Sequence, residues 1–295
     1  MVDASDSKSD GEIHKGSSPF LGTIFIYKGG IFMLTLELTE DELKAMKYNK
    51  EAITNLLVSR AIYNESYNYN FSETELRDLK YLEKNELIHF YMHKTVEPRV
   101  IVTENAIIDK YNENKEFFEK SKIPFSKAHD IIKNELNNEV NYGLEQDLVS
   151  SLVHNMEDTV TLKKEDIVFT KGDPNLIKTM LLFELLDKEA KKSDFYNKNA
   201  NDIDILKKEV RLKFFVNVIC SKDIVINEEK VSRYYVDNTK DFENMDMQEA
   251  YNRISSYLFQ KELNEKTAKY LDDIKEKYNL DAEVKKYVDD GAVAN

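Results

Sequence analysis

One cysteine, eight glycines and five histidines in 295 residues leave little material for several kinds of chemistry. Cys220 alone cannot form an internal disulfide, and no Cys/His spacing suits zinc, so its plainest reading is a small buried apolar residue. The glycines form no phosphate-cradling loop, Lys28-Gly29-Gly30 reading as a turn, and no Gly-x-Ser-x-Gly elbow is present for serine chemistry. No apolar run reaches the about 18 residues that cross a bilayer. The start of the chain also lacks a basic segment leading into an apolar one. No integral membrane segment is therefore expected.

The histidines, His14, His89, His93, His129 and His154, lie among polar helix-forming residues. His89 and His93 are the only pair at metal-ligand helical spacing, and no Glu stands between them in the zinc-protease arrangement, so they read as a surface pair. Acid pairs such as Asp41-Glu42 and Asp289-Asp290 read as helix N-terminal charge or solvated tails. No catalytic residue, metal or cofactor is assigned, and an enzyme is not the expectation. With a net charge of −13 and lysines interspersed among acids, the surface repels nucleic acid and anionic membranes.

What the chain has is helix-forming sequence, written twice. Its 41% hydrophobic content suffices for a core in each of two domains. Residues 1–19, polar and without apolar periodicity, are expected to be disordered or left over from expression. The stretch Phe20 to Leu38 suits two short strands around the Lys28-Gly29-Gly30 turn. Shifting the sequence by 124 positions aligns Thr35 through Phe118 with Thr159 through Phe242 without a gap. Phe71 then meets Phe195, Phe90 meets Phe214, Tyr91 meets Phe215, Tyr111 meets Tyr235 and Phe118 meets Phe242. After a two-residue deletion the register continues at 122, placing Phe125 to Leu136 on Met247 to Leu258.

Each copy has one outline. A short strand leads into a brief helix opened in the first copy by Thr39-x-x-Glu42, a capping box. A second helix, Ala52 to Ser66, carries Ile53, Leu56, Leu57 and Val58, and Ser72-x-x-Glu75 caps a longer one bearing Leu76, Leu79, Leu82, Leu87 and Met92. An extended segment, Pro98 to Val102, precedes a helix capped by Thr103. The last helix carries Ala128, Ile132, Leu136, Val140, Leu144, Leu148 and Leu152 at four-residue intervals, a stripe too long for one small bundle to cover. Tyr278 to Val288 reads as extended, and Asp281 to Val284 falls on Thr159 to Leu162 at offset 122, so a strand there could be shared by both modules. The expected fold is mainly α with small β elements, in two tandem modules over residues 20–157 and 158–295.

The pattern V-T-E-x-x-I-x-x-Y-x-x-N-K-x-x-F in Val102 to Phe118, and its copy at Ile226 to Phe242 with Tyr234, Tyr235 and Asn238, resembles the segment that closes the N-terminal region of the SurA/PrsA/PpiD foldases. The order of strand, short helix, two helices, motif and long helix is similar over most of the chain. The resemblance implies SurA-N-like helical modules and an extracytoplasmic or periplasmic setting. In such foldases a parvulin prolyl-isomerase domain usually lies between motif and last helix. Here only EKSKIP and ENMD stand at those points, so the resemblance implies a parvulin-less chaperone for unfolded or exported polypeptides, working without ATP and without isomerase activity. A helical scaffold with one defined partner or self-association, and a protein related to prolyl isomerases, stay open beside it, as does a homodimer formed by strand exchange.

Comparing the copies separates shared packing from candidate contact residues. Tyr63, Tyr67 and Tyr69 face Asp187, Lys191 and Ser193, so the fold does not demand aromatics there. With Phe183 and Phe259 they are the candidate peptide-binding residues. The plainer reading of each is a half-buried ring at a module edge.

Overall fold

A computed structural model describes residues 35–154 and 159–293, without the side chains of 289–293. The expected disordered start and the Lys28-Gly29-Gly30 hairpin lie outside the described residues. Among those described the regular structure is all helical. In chain order the helices are α1 (Glu40–Ala45), α2 (Lys50–Asn68), α3 (Glu73–Val96), α4 (Glu104–Glu113), α5 (Lys115–Lys120), α6 (Phe125–His154), α7 (Lys164–Phe169), α8 (Pro174–Lys192), α9 (Phe195–Lys198), α10 (Ala200–Ser221), α11 (Glu228–Asp237), α12 (Met247–Lys277) and α13 (Leu280–Val293). None is long and apolar enough to cross a membrane, among the described residues.

The helix starts follow from side-chain chemistry. Thr39 Oγ1 accepts from Glu42 N while Glu42 Oε2 accepts from Thr39 N, and Ser72 and Glu75 repeat the exchange at α3. Thr103 and Asn227 cap α4 and α11 by accepting from Ala106 N and Lys230 N. Helix ends recur at the spacing on which the sequence aligns with itself: adding 124 to the ends of α1, α2 and α4 gives the ends of α7, α8 and α11.

The small β elements do not appear among the described residues. The segment expected to be extended from Pro98 to Val102 begins as a 3₁₀ turn, Glu97–Arg99, and continues without regular structure, while the expected strands before α1 and at 159–162 are not strands among the described residues. Of Tyr278 to Val288, expected to be extended, 280–288 lie in α13, and Tyr278 and Asn279 form the turn before it. Leu280, Val284, Tyr287 and Val288 fall at helical spacing, and Leu280 and Val284 are fully buried. Asn279, with φ of 48°, makes the break from α12.

The described chain divides into two compact units. A continuous unit, Ser72–Val210, holds α3 to α9. A split unit joins the residues up to Phe71, with α1 and α2, to those from Arg211 on, with α11 to α13. The division falls within α10. Each unit draws helices from both sides of residue 157, where the sequence repeats meet.

Two clusters build the continuous unit. Ile88, Tyr91 and Met92 of α3 pack with Phe183, Leu186 and Ala190 of α8 and Phe195 of α9, and Leu148, Val149 and Leu152 of α6 lie against them. At the other end of α6, Ala128 and Ile132 pack with Ile107 of α4 and Phe118 of α5. The four-residue stripe of α6 is thus shared between two cores, which accounts for its length.

In the split unit α2 packs against α12 and α13. Glu65 of α2 accepts hydrogen bonds from Lys277 Nζ and Tyr278 Oη at the end of α12. Arg211 donates to Ser66 O at 2.9 Å, satisfying a carbonyl at the α2 C-terminus. The guanidinium of Arg60, buried, donates to Glu42 of α1 and to the Thr35 and Glu37 carbonyls, while Leu38 N donates to Tyr287 Oη of α13. The stretch 35–38, which has no regular structure, is thereby held on the helices from two sides.

Two outcomes follow. Arg60→Met leaves the Glu42 carboxylate buried without its cation and costs about 3–5 kcal/mol in denaturant unfolding; adding Glu42→Leu recovers much of that loss, because the apolar pair needs no partner. Expressed separately, residues 1–157 and 158–295 each lack part of both units, so neither shows cooperative thermal unfolding alone. Mixing them restores the circular-dichroism spectrum of the whole chain in a one-to-one complex.

Candidate functional site

The continuous unit carries a cleft of about 320 Å³ between α3, α7 and α8. Helix α3 lines it with Arg77, Lys80, Tyr81 and Lys84, residues at i, i+3, i+4 and i+7 and therefore on one face. Phe169 of α7 and Met180 and Phe183 of α8 supply the floor. The Tyr81 ring lies 5.2 Å from Phe169 and 6.0 Å from Phe183, and the Arg77 guanidinium sits 5.3 Å from the Phe169 ring centre. Lys84 and Glu184 form an ion pair at the edge. Burial pushes the Tyr81 hydroxyl pKa upward. The result is an aromatic floor with a rim of mixed charge, suited to holding an apolar side chain beside polar backbone.

The positions 124 residues earlier show how the other repeat treats the same place. Glu184 and Asp166 correspond to Arg60 and Glu42, the buried ion pair of the split unit, and Phe183 and Phe169 correspond to Ser59 and Ala45. Where one repeat closes its first two helices with a guanidinium and a carboxylate, the other has two carboxylates and larger rings, and a cleft.

A second feature of this unit is a run of aromatic rings. Phe117 lies 5.4 Å from Phe118, Phe118 stacks 5.6 Å from Tyr111, Tyr111 meets Phe125 edge-on at 4.8 Å, and Phe125 is 6.0 Å from His129. Its middle is core, with Phe118 buried, while Phe117 and Phe125 are 61% and 48% exposed. The split unit has a matching cluster at α11 and α12, where Tyr235 packs with Phe242 and Tyr251.

The candidate residues fall into both units. Phe183, only 5% exposed, forms part of the cleft floor and of the core beneath it. Tyr63 is buried on α2, 5.8 Å from the exposed Tyr67, over whose ring the Arg211 guanidinium lies at 5.0 Å. Tyr69 is half-buried between Phe71 and Phe215, at 4.9 and 5.5 Å. Phe259 sits on the exposed side of α12. The three tyrosines thus share one aromatic assembly at the end of α2. Sequence reasoning missed Phe117, although it faces Asp241 in the other repeat, the same signal that singled out the tyrosines. Among the described residues no group of three His, Cys, Asp or Glu is placed to hold a metal ion.

His129, at the end of the aromatic run, has Nε2 3.0 Å from Glu104 Oε2 and Nδ1 3.6 Å from Asp130 Oδ1. The hydrogen bond to Glu104 raises its pKa first, and Asp130 adds to the shift, against a smaller opposing effect of burial. A raised folded-state pKa means that the contribution to stability is full below the unfolded value, near 6.5, and fades as pH climbs through the folded one. His129→Gln should flatten that part of the stability–pH curve in urea titrations between acidic and mildly alkaline pH, and an unchanged slope would show that the pair contributes nothing.

Comparison of the chain with family models, with curated proteins and with solved structures returns no match, so on that ground it is placed in no family.

Proposed function

We propose that this chain is an ATP-independent chaperone of the holdase kind, which binds unfolded or exported polypeptides through exposed aromatic side chains and has no prolyl isomerase activity. The reading joins the SurA-like arrangement of its sequence to one observation: an aromatic run whose buried middle fixes its geometry while Phe117 and Phe125 stand open to solvent. Large rings held by neighbours lose little conformational freedom on contact, so they grip apolar segments of varied sequence. The cleft floored by Tyr81, Phe169 and Phe183 offers a second apolar foothold in the same unit. A net charge of −13 keeps a loaded complex soluble by mutual repulsion. On the strength of the SurA-like sequence arrangement, we propose a periplasmic or other extracytoplasmic setting for this activity.

The test is aggregation of a chemically denatured model client, followed by light scattering with the whole chain in modest excess. Suppression is expected, unaffected by nucleotide, and no effect on scattering would end the proposal. Phe117→Ala/Phe125→Ala removes two exposed rings worth about 1 kcal/mol each in contact area, so about thirtyfold more protein should be needed for the same suppression. A proline-peptide assay should show no acceleration of isomerisation.

A further inference from the structure

Helices α2 and α8, 124 residues apart in the alignment of the chain with itself, differ along one stripe. On α2, Ile53, Leu57, Arg60 and Asn64 are all buried. Their counterparts on α8, Ile177, Leu181, Glu184 and Lys188, are all half-buried. The four positions are i, i+4, i+7 and i+11, a single helical face. Both stripes open with two apolar residues, whereas the third position reverses charge, Arg60 against Glu184, and the fourth is Asn64 against Lys188. The cover differs as well.

In the split unit α2 packs against α12 and α13, and α13 also accepts a hydrogen bond from the 35–38 stretch that Arg60 holds. After α6, the counterpart of α12, no such helix follows. At offset 122 the residues matching α13 are 158–171, and these contain α7, which stands to α8 as α1 stands to α2. The chain therefore has two α2-like faces and one α13. The cleft described above opens at Glu184, on the stripe left without it.

We infer that the α8 face of the continuous unit is a docking site for an amphipathic helix of the α13 type supplied by another polypeptide. The chemistry of the occupant is read from α13 itself. It carries apolar residues at i and i+4, as at Leu280 and Val284, which are fully buried on the matching unit, and a tyrosine at i+7, as at Tyr287. This inference does not depend on the chaperone proposal, since a dedicated partner helix would serve as well as a client.

The probe is a fluorescently labelled peptide of residues 278–293, titrated with the whole chain and read by anisotropy. A saturable rise is expected, with no rise for a scrambled peptide of the same composition. Ile177→Lys and Leu181→Lys, tested separately and checked by circular dichroism, should each weaken binding at least tenfold. Hydrogen exchange supplies a readout independent of the variants: the peptide should slow exchange over 174–192. No saturable binding overturns the proposal. So does slowed exchange over 50–68 alone, which would mean that the peptide has replaced the chain's own α13. Binding only after removal of residues 1–34 overturns it too, because the face would then belong to a segment of the same chain.

Discussion

Helix α2 sets the terms for this protein, because almost no side of it faces water. Eleven of its 19 residues are buried, from Ile53 through Ser66, and they point in every direction around the axis. Such a helix cannot be satisfied by one neighbour. It needs α12 and α13, the 35–38 stretch and the aromatic residues that follow it, and most of these lie more than 170 residues away in sequence. The exchange of helices between the two repeats follows from this demand. A pair such as α1 and α2 has no core of its own, and the surfaces that complete it come from the far end of the chain.

The polar groups drawn inward by this packing are each matched. Arg60 reaches one carboxylate and two carbonyls, so its charge is neutralised and its donors are used. Glu65 shows the balance of forces at the edge of the same helix. Burial works to raise its pKa, but the hydrogen bonds from Lys277 and Tyr278 outweigh that and hold the carboxyl below its ordinary value. A carboxylate with a lowered pKa favours the folded state above its unfolded value and ceases to do so on acidification. The contact between α2 and the end of α12 is accordingly strongest at neutral pH, opposite in sign to the His129 pair of the continuous unit.

The helices and their starts were legible because their causes are local. Thr39, Ser72 and Thr103 cap by bonds to residues three positions on, and four-residue spacing of apolar side chains marks α6 from end to end. The α13 segment was misread because Tyr278, Leu280, Ala282 and Val284 alternate as a strand would, while Leu280, Val284 and Tyr287 fit a helix equally well until the partner surface picks out one face. The division into units was not legible at all, since which distant helix covers α2 is decided by tertiary packing. The candidate tyrosines show the same limit at the scale of one turn. Tyr63 and Tyr67 are one turn apart on α2 and both aromatic against polar counterparts, yet one is buried and the other exposed. The aromatic-versus-polar comparison reports that a ring is dispensable to the repeat, not which way it points.

The positions aligned at offset 124 differ most where the cover over α2 and α8 differs. The buried core positions keep their character: Ile62 and Leu186 are buried on both helices, as are Tyr91 and Phe215. The pair at Arg60 and Glu42 does not persist, and its counterparts are two acids, of which Glu184 has turned to Lys84 of α3. A buried guanidinium is tolerable only while its acceptors are in place. With the α7 region at the positions that match α13 at offset 122, an arginine at 184 would face an open cleft, and a carboxylate paired at the rim costs less there. The carboxylate at 184 and the open cleft go together, and the aromatic side chains at 169 and 183, where the corresponding positions hold alanine and serine, enlarge the apolar surface of the cleft.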